Sequence, residues 1–389
     1  AGRFCEGYKE FLNEGKTERE CVKKAVELLE AAGYRPLDKN ASYTAGDKVY
    51  MVNRDKALIA TTFGREPLEK GLRINGAHID SPRLDLKPNP LYEKEGLAYF
   101  KTHYYGGIRK YQWGTVPLAM HGVVYLEDGS KVEISLGEKE GDPVFCVTDL
   151  LPHLAGEQSG RKLSEGLKGE ELNIVVGSLP YEDQEDVKEA VKLKALALLN
   201  QYYGMTEKDF LRAEIEMVPA YKAVDVGLDR GMIGAYGQDD RVCAYTALEA
   251  EMDVKEPFYT TVTILTDKEE IGSVGNTGLH SDYVLHYIET LAEMAGADVK
   301  EVLTHSLCLS SDVNAAYDPT FASVYESRNS SYAGKGCVLT KYTGARGKSG
   351  SNDASAETMA RVIRIMDEAG VCWQAGELGA VDAGGGGTI

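Results

Sequence analysis

Thr260-Thr261-Val262-Thr263-Ile264-Leu265-Thr266-Asp267-Lys268-Glu269-Glu270 is the stretch on which the fold turns. Its first part is rich in β-branched residues and predicts a strand over 259–266. Its end sets two adjacent carboxylates just past the strand. Such a pair repels itself when buried and unpaired, so a fold keeps it on a wet surface or beside a cation. A turn there could aim one carboxylate at a metal and the other at its bound water. In open α/β sheets ligands bind outside the carboxyl ends of strands, so partners are to be sought at other strand tips.

Three other clusters follow β-like runs: His78 with Asp80, Asp239 with Asp240, and Asp312. Each alone has a plain reading. Asp239 and Asp240 could cap a helix, His78 could be an ordinary core or surface histidine, Glu269-Glu270 a solvated turn, and Asp312 another cap. Their joint placement at strand exits is what favours convergence on a metal.

Outward from these tips, 48–53, 57–63 and 72–79 read as strands. Thr17 and Glu20 form a capping box ahead of a helix that carries Cys21, Val22, Ala25, Val26, Leu29 and Ala32 and ends at Gly33. Pro82, Pro88 and Pro90 are expected to break regular structure. Between 86 and 221 the texture changes to short alternating segments, 121–126 and 131–136, around a Glu127-Asp128-Gly129 turn. A helix over 185–203, stopped by Gly204, belongs to the same region. Beyond Asp225 come a helix over 241–252, strands over 259–266 and 307–310, and a helix over 354–369. The expectation is an α/β fold with one discontinuous domain, 1–85 and 222–389, and an inserted β-rich domain, 86–221.

The 389 residues carry a net charge of -18, which disfavours nucleic acid and anionic membrane as partners. Seven scattered cysteines with no C-x-x-C pair argue against a disulfide framework or zinc ribbon and for a reducing compartment. No apolar run suits a bilayer, so a soluble, cytoplasmic protein is expected.

The chain resembles the M18 family of metalloaminopeptidases, the group that includes aspartyl aminopeptidase. The resemblance rests on Ala77-His78-Ile79-Asp80-Ser81-Pro82, Gly237-Gln238-Asp239-Asp240-Arg241, Asp267-Lys268-Glu269-Glu270-Ile271-Gly272-Ser273 and Ser310-Ser311-Asp312-Val313-Asn314-Ala315, in that order. It implies a mixed-sheet zinc-peptidase catalytic domain flanked by helices and holding two divalent ions, zinc, cobalt or manganese. By the resemblance His78 and Asp312 bind one metal, Asp239 bridges both, Glu270 binds the second, and Glu269 is the general base. Asp80 resembles the acid that fixes the tautomer of His78.

The resemblance further implies that 86–221 drives dimer formation and that the dimers close into a tetrahedral dodecamer. Pro117-Leu118-Ala119-Met120-His121 is similar to a segment whose histidine reaches a neighbouring subunit's site. The implied reaction removes the N-terminal residue of peptides, Asp or Glu in the best-known members, by attack of a metal-bridged water that Glu269 deprotonates. Lys341, Arg346 and Lys348 are candidate cations for an acidic side chain. Gly347-Lys348-Ser349 imitates a phosphate loop, but Tyr342 stands where that loop needs glycine. The family's last ligand, a histidine, is expected beyond Ile389, past Gly384 to Gly387. Alternative readings are therefore a catalytically impaired homologue acting as an oligomeric scaffold, or a metal-dependent deacylase.

Overall fold

The computed structural model describes residues 2–181, 187–344 and 346–383. A six-stranded mixed sheet is built from β1 (Arg35–Pro36), β2 (Lys48–Asn53), β3 (Ala57–Thr62), β4 (Arg73–His78) and two later strands, β14 (Thr261–Thr266) and β15 (Leu307–Ser310). Their order is β1-β2-β3-β14-β4-β15. Both β14 and β15 run parallel to β4, with Thr266 beside His78 and Ser310 beside Gly76, so three strand tips leave the sheet together.

Strand alternation sends side chains to two opposite faces. Leu58, Ala60, Ala77 and Leu265 pack beneath helices α1 (Gly2–Glu14), α2 (Glu18–Ala31) and α5 (Gln238–Asp253). Ile59, Ile74, Val262 and Ile264 pack against α6 (Tyr283–Ala295) and α7 (Val299–His305). The capping box holds: the Thr17 hydroxyl accepts from the Glu20 N–H and the Glu20 carboxylate accepts from the Thr17 N–H.

A second sheet, drawn from residues 83–219, has seven strands in the order β8-β7-β11-β5-β6-β10-β9. They are β5 (Arg83–Lys94), β6 (Leu97–Tyr105), β7 (Leu118–Tyr125), β8 (Lys131–Leu136), β9 (Cys146–Val147), β10 (Ile174–Gly177) and β11 (Ala213–Pro219). Its core joins Leu84, Phe100, Met120, Ile134 and Met217 to Val191 and Leu199 of α4 (Ala190–Tyr203). Smaller elements are α3 (Gly156–Ser159), α8 (Ala356–Glu368), the ribbon of β12 (Val224–Val226) with β13 (Met232–Gly234), and the pair β16 (Cys337–Leu339) with β17 (Trp373–Ala375).

Two expectations change. Pro88 and Pro90 do not interrupt the chain: β5 runs through both, with its register against β6 shifting between Leu86 and Leu91. Its pairing with β11 covers only Leu84 and Asp85, so the prolines fall where that edge has no ladder to complete. The helix expected from 185 starts at Ala190, after Glu189 in a left-handed conformation (φ 61°); residues 182–186 lie outside the described residues, as do Gly384 to Ile389.

Candidate metal centre

Each strand tip delivers one part of an acid-rich cluster. β4 ends on His78, whose ring is fully buried. Its Nδ1 faces the Asp80 main-chain carbonyl at 2.9 Å and the Asp80 carboxylate at 3.3 Å. Nδ1 therefore has partners that suit its N–H, which leaves Nε2 as the lone pair. Nε2 is buried and makes no hydrogen bond. Around it stand carboxylate oxygens of Asp239 at 3.2 Å, Glu269 at 3.7 Å and Asp312 at 3.8 Å.

Glu269 opens a 3-10 turn, Glu269–Ile271, directly beyond β14. Asp312 follows β15, where the Ser311 N–H still donates to the Gly76 carbonyl at 2.8 Å. Asp239 and Asp240 sit at the entrance of α5 with non-helical backbone. The Ser81 hydroxyl donates to the Asp239 carbonyl at 2.6 Å, which ties this entrance to the β4 exit.

The electrostatics are those of too much negative charge in one place. Burial opposes a charge on His78, yet the carboxylates of Asp239, Asp312 and Asp80 outweigh it and push the imidazole's proton affinity far up. A site that grips a proton this way would grip a cation by the same attraction. Burial, followed by the neighbouring Asp239, pushes the Glu270 carboxyl up to about 8. Burial also raises Glu269 and takes Asp240 up to about 8. These acids cannot all be ionised together without compensation.

One ligand atom each from His78, Asp240 and Asp312 lie within 4.8 Å of one another, and so do those from His78, Glu269 and Glu270. One imidazole with several carboxylates is a donor set for a borderline to hard divalent ion. The residues present fit such ions on that chemistry and on the bare, buried Nε2.

The structure brings together His78, Asp239, Glu269, Glu270 and Asp312, with Asp80 directly behind them. Asp80 does more than face His78. Its carboxylate accepts the main-chain N–H groups of Glu269 and Glu270, both at 3.2 Å, and the Tyr105 hydroxyl at 2.7 Å.

The structure also brings in Asp240, which sequence reasoning left out of the ligand set. Its carboxylate is fully buried with neither oxygen hydrogen bonded, whereas the Asp239 side chain is 55% exposed. Adjacency to Asp239 was the only sign of it in the chain.

His121 is not brought to this cluster. It is buried on β7, with Nδ1 2.8 Å from Glu20 and Nε2 3.2 Å from Glu138, both of its own chain. In this chain both ring nitrogens of His121 are therefore taken up by its own carboxylates. Lys348 is also occupied: it pairs with Asp353 at 3.2 Å and lies 3.5 Å from the Tyr342 ring centre. Among the described residues, Lys341 and Arg346 make no ion pair with the cluster. A cleft of about 240 Å³ does border it, lined by Asp239, Ser81, Ile108, Arg109, Gln112 and Trp113. Arg109 belongs to the loop after β6, and no motif pointed to it.

Comparison with known proteins bears on the family and the fold. The family described as "Aminopeptidase I zinc metalloprotease (M18)" matches residues 11–389. A probable M18 family aminopeptidase 1 of Clostridium acetobutylicum is 50% identical over 98% of this chain and 84% of its own length. The crystal structure of the Thermotoga maritima M18 aminopeptidase superposes with a TM-score of 0.95 at 48% identity, over 100% of this chain and 86% of that one. Aminopeptidase I from C. acetobutylicum gives 0.92 at 48% identity, over 99% and 85%. A yeast mApe1 dodecamer shares the fold, with a TM-score of 0.75 at 21% identity, over 96% of this chain and 84% of that one. With family, relatives and fold in agreement, the chain belongs to the M18 family of zinc metalloaminopeptidases.

Proposed function

We propose that this aminopeptidase uses two divalent ions and removes the N-terminal residue of peptides, with Glu269 as general base. The observation that carries the reading is the buried, unbonded Nε2 of His78 among carboxylates from three other segments. His78 and Asp312 would hold one ion and Glu270 the other, with Asp239 between them and Asp240 behind. When bound, the ions supply Lewis acidity toward the peptide carbonyl and the attacking water. Glu269, raised by burial, is suited to take a proton from that water and return it to the leaving amine. Asp80 holds both the His78 ring and the turn that carries Glu269 and Glu270, so base and ligands move as one unit.

For an acidic N-terminal residue, exposed Arg109 is the cation that the cleft offers, in place of Lys341, Arg346 or Lys348. The β-rich segment 86–221 is the unit we assign to dimerisation and to assembly of a dodecamer. It exposes Leu150, Leu151, Leu154 and Leu163. Seven free cysteines agree with a cytoplasmic setting, and no helix among the described residues is long and apolar enough to cross a membrane.

The test is Glu269→Gln. Turnover of aminoacyl p-nitroanilides is expected to fall by about 10²- to 10⁴-fold while metal binding persists. Retained turnover refutes the base assignment, and preference for N-acylated amino acids over free-amine substrates would refute the peptidase reading in favour of a deacylase.

A further inference from the structure

We propose that Tyr105 is a positioning residue for the metal cluster, carried in from the seven-stranded sheet to set the Asp80 carboxylate on which His78, Glu269 and Glu270 all depend. This rests on the metal-centre reading above.

Asp80 is fully buried, and its two oxygens serve four groups. Oδ1 accepts the Glu269 N–H and faces His78 Nδ1, while Oδ2 accepts the Glu270 N–H and the Tyr105 hydroxyl. Three of those groups belong to the cluster and are what Asp80 must orient. Tyr105, at the end of β6, is the partner anchored elsewhere.

That anchor is firm. The Tyr105 ring is 7% exposed, and the Arg83 guanidinium lies 3.6 Å from its centre. Arg83 in turn meets Asp85 at 2.8 Å, Glu18 at 3.3 Å and Glu216 at 3.4 Å. The contact is therefore a rigid donor aimed at a carboxylate that must not rotate.

The next residue gives an independent sign that this strand end is fitted to the site. Gly106 has φ +72°, and a Cβ there would stand 3.2 Å from both Cβ and Oε2 of Glu270 and 3.4 Å from Pro82 Cγ. Only glycine fits this approach without displacing a cluster residue. The second sheet thus presses its Tyr105-Gly106 end against the strand tips of the first.

The experiment compares wild type with Tyr105→Phe, which deletes one oxygen, and with Tyr34→Phe as control. Tyr34 donates a buried hydrogen bond to the Glu251 carbonyl, within another part of the fold. Zinc is titrated calorimetrically into metal-stripped protein, and kcat and KM are measured on the reloaded enzyme. Tyr105→Phe is expected to weaken zinc binding or lower kcat by about 10- to 100-fold, with KM changed far less. Tyr34→Phe should lower the melting temperature and leave both untouched. Zinc affinity and kcat at wild-type values in Tyr105→Phe overturn the proposal, and so does an equal loss in the control. Zinc binding by wild type that survives His78→Ala unchanged refutes the metal-centre reading itself, a separate failure.

Discussion

Replacing Arg83 with Met should destabilise the protein by about 3 kcal/mol at neutral pH, with a deficit that shrinks on acidification. Arg83 is 5% exposed and its guanidinium faces Glu18, Asp85 and Glu216. Burial works against a charge on Glu18, yet Arg83 and then Lys56 hold its carboxyl down to about 2. Burial instead keeps Glu216 well above the usual carboxylate range, so among the buried acids Glu18 carries the negative charge that Arg83 balances, with Asp85 as its nearest and more exposed partner.

Breaking one side of a buried pair costs about 3–5 kcal/mol, because the remaining charge is left desolvated. The lower end applies here, since Lys56 stays 3.8 Å from Glu18 and Met fills most of the space. With an unfolding entropy of about 2 cal/mol/K per residue, the apparent melting midpoint should drop by about 4 °C.

The pH dependence has a definite sign. In wild type Glu18 is depressed, so its contribution is present above its ordinary 4.5 and is lost only as pH falls through about 2. Without Arg83, burial should lift the Glu18 carboxyl above 4.5, and the folded state then gains by taking up a proton. The deficit should be full at neutral pH, begin to fade above pH 4.5 as the variant's Glu18 takes up its proton, and shrink further between 4.5 and about 2 as the wild type loses its own contribution. Adding Glu18→Gln to the variant should recover part of the loss at neutral pH. Circular dichroism melts across this range are the assay. A variant within about 0.5 kcal/mol of wild type at neutral pH, or a deficit that grows on acidification, would show that the cation does not balance Glu18.

His121→Asn tests the pairing of His121 with Glu20 and Glu138. Burial lowers this imidazole's pKa, but hydrogen bonds to Glu138 and Glu20 outweigh it, so the folded value lies above 6.5. Its stabilisation should be complete below pH 6.5 and vanish as pH rises through the folded value, which melting differences between variant and wild type will read. A constant difference across that range contradicts the ion-pair role. Leu150→Asp with Leu154→Asp, both positions at least half exposed, should lower the molar mass measured by light scattering while leaving the circular dichroism spectrum of the folded chain unchanged. An unchanged mass removes that surface from the assembly.

The strand at 259–266, the capping box at Thr17 and the helix ahead of Gly33 were legible because each is a local matter of spacing and turn chemistry. Three of the four clusters were legible as tips of strands, since each follows a β-rich run, whereas Asp239-Asp240 opens α5 instead. Which acids face His78 was not, because that depends on strand order: β14 and β15 flank β4 although both lie far along the chain. Tyr105 and Arg109 carry no motif and reach the cluster only through the packing of one sheet on another. Pro88 and Pro90 misled for a similar reason, as the cost of a strand proline depends on which edge is paired. The intrachain partners of His121 were not legible either, because a short run of letters says nothing of Glu20, which comes from a different element.

The parallel pairing of β4 with both β14 and β15 has a further consequence, for the order in which the protein becomes dangerous. The seven-stranded sheet uses only residues up to Pro219, so all its strands exist before any of β14 has been synthesised. His78, made early, has its full set of carboxylates only after the chain has passed Asp312. A translation product arrested short of that point holds only part of the acid-rich cluster. On the metal-centre reading proposed above, unfinished chains therefore lack a complete set of ligands.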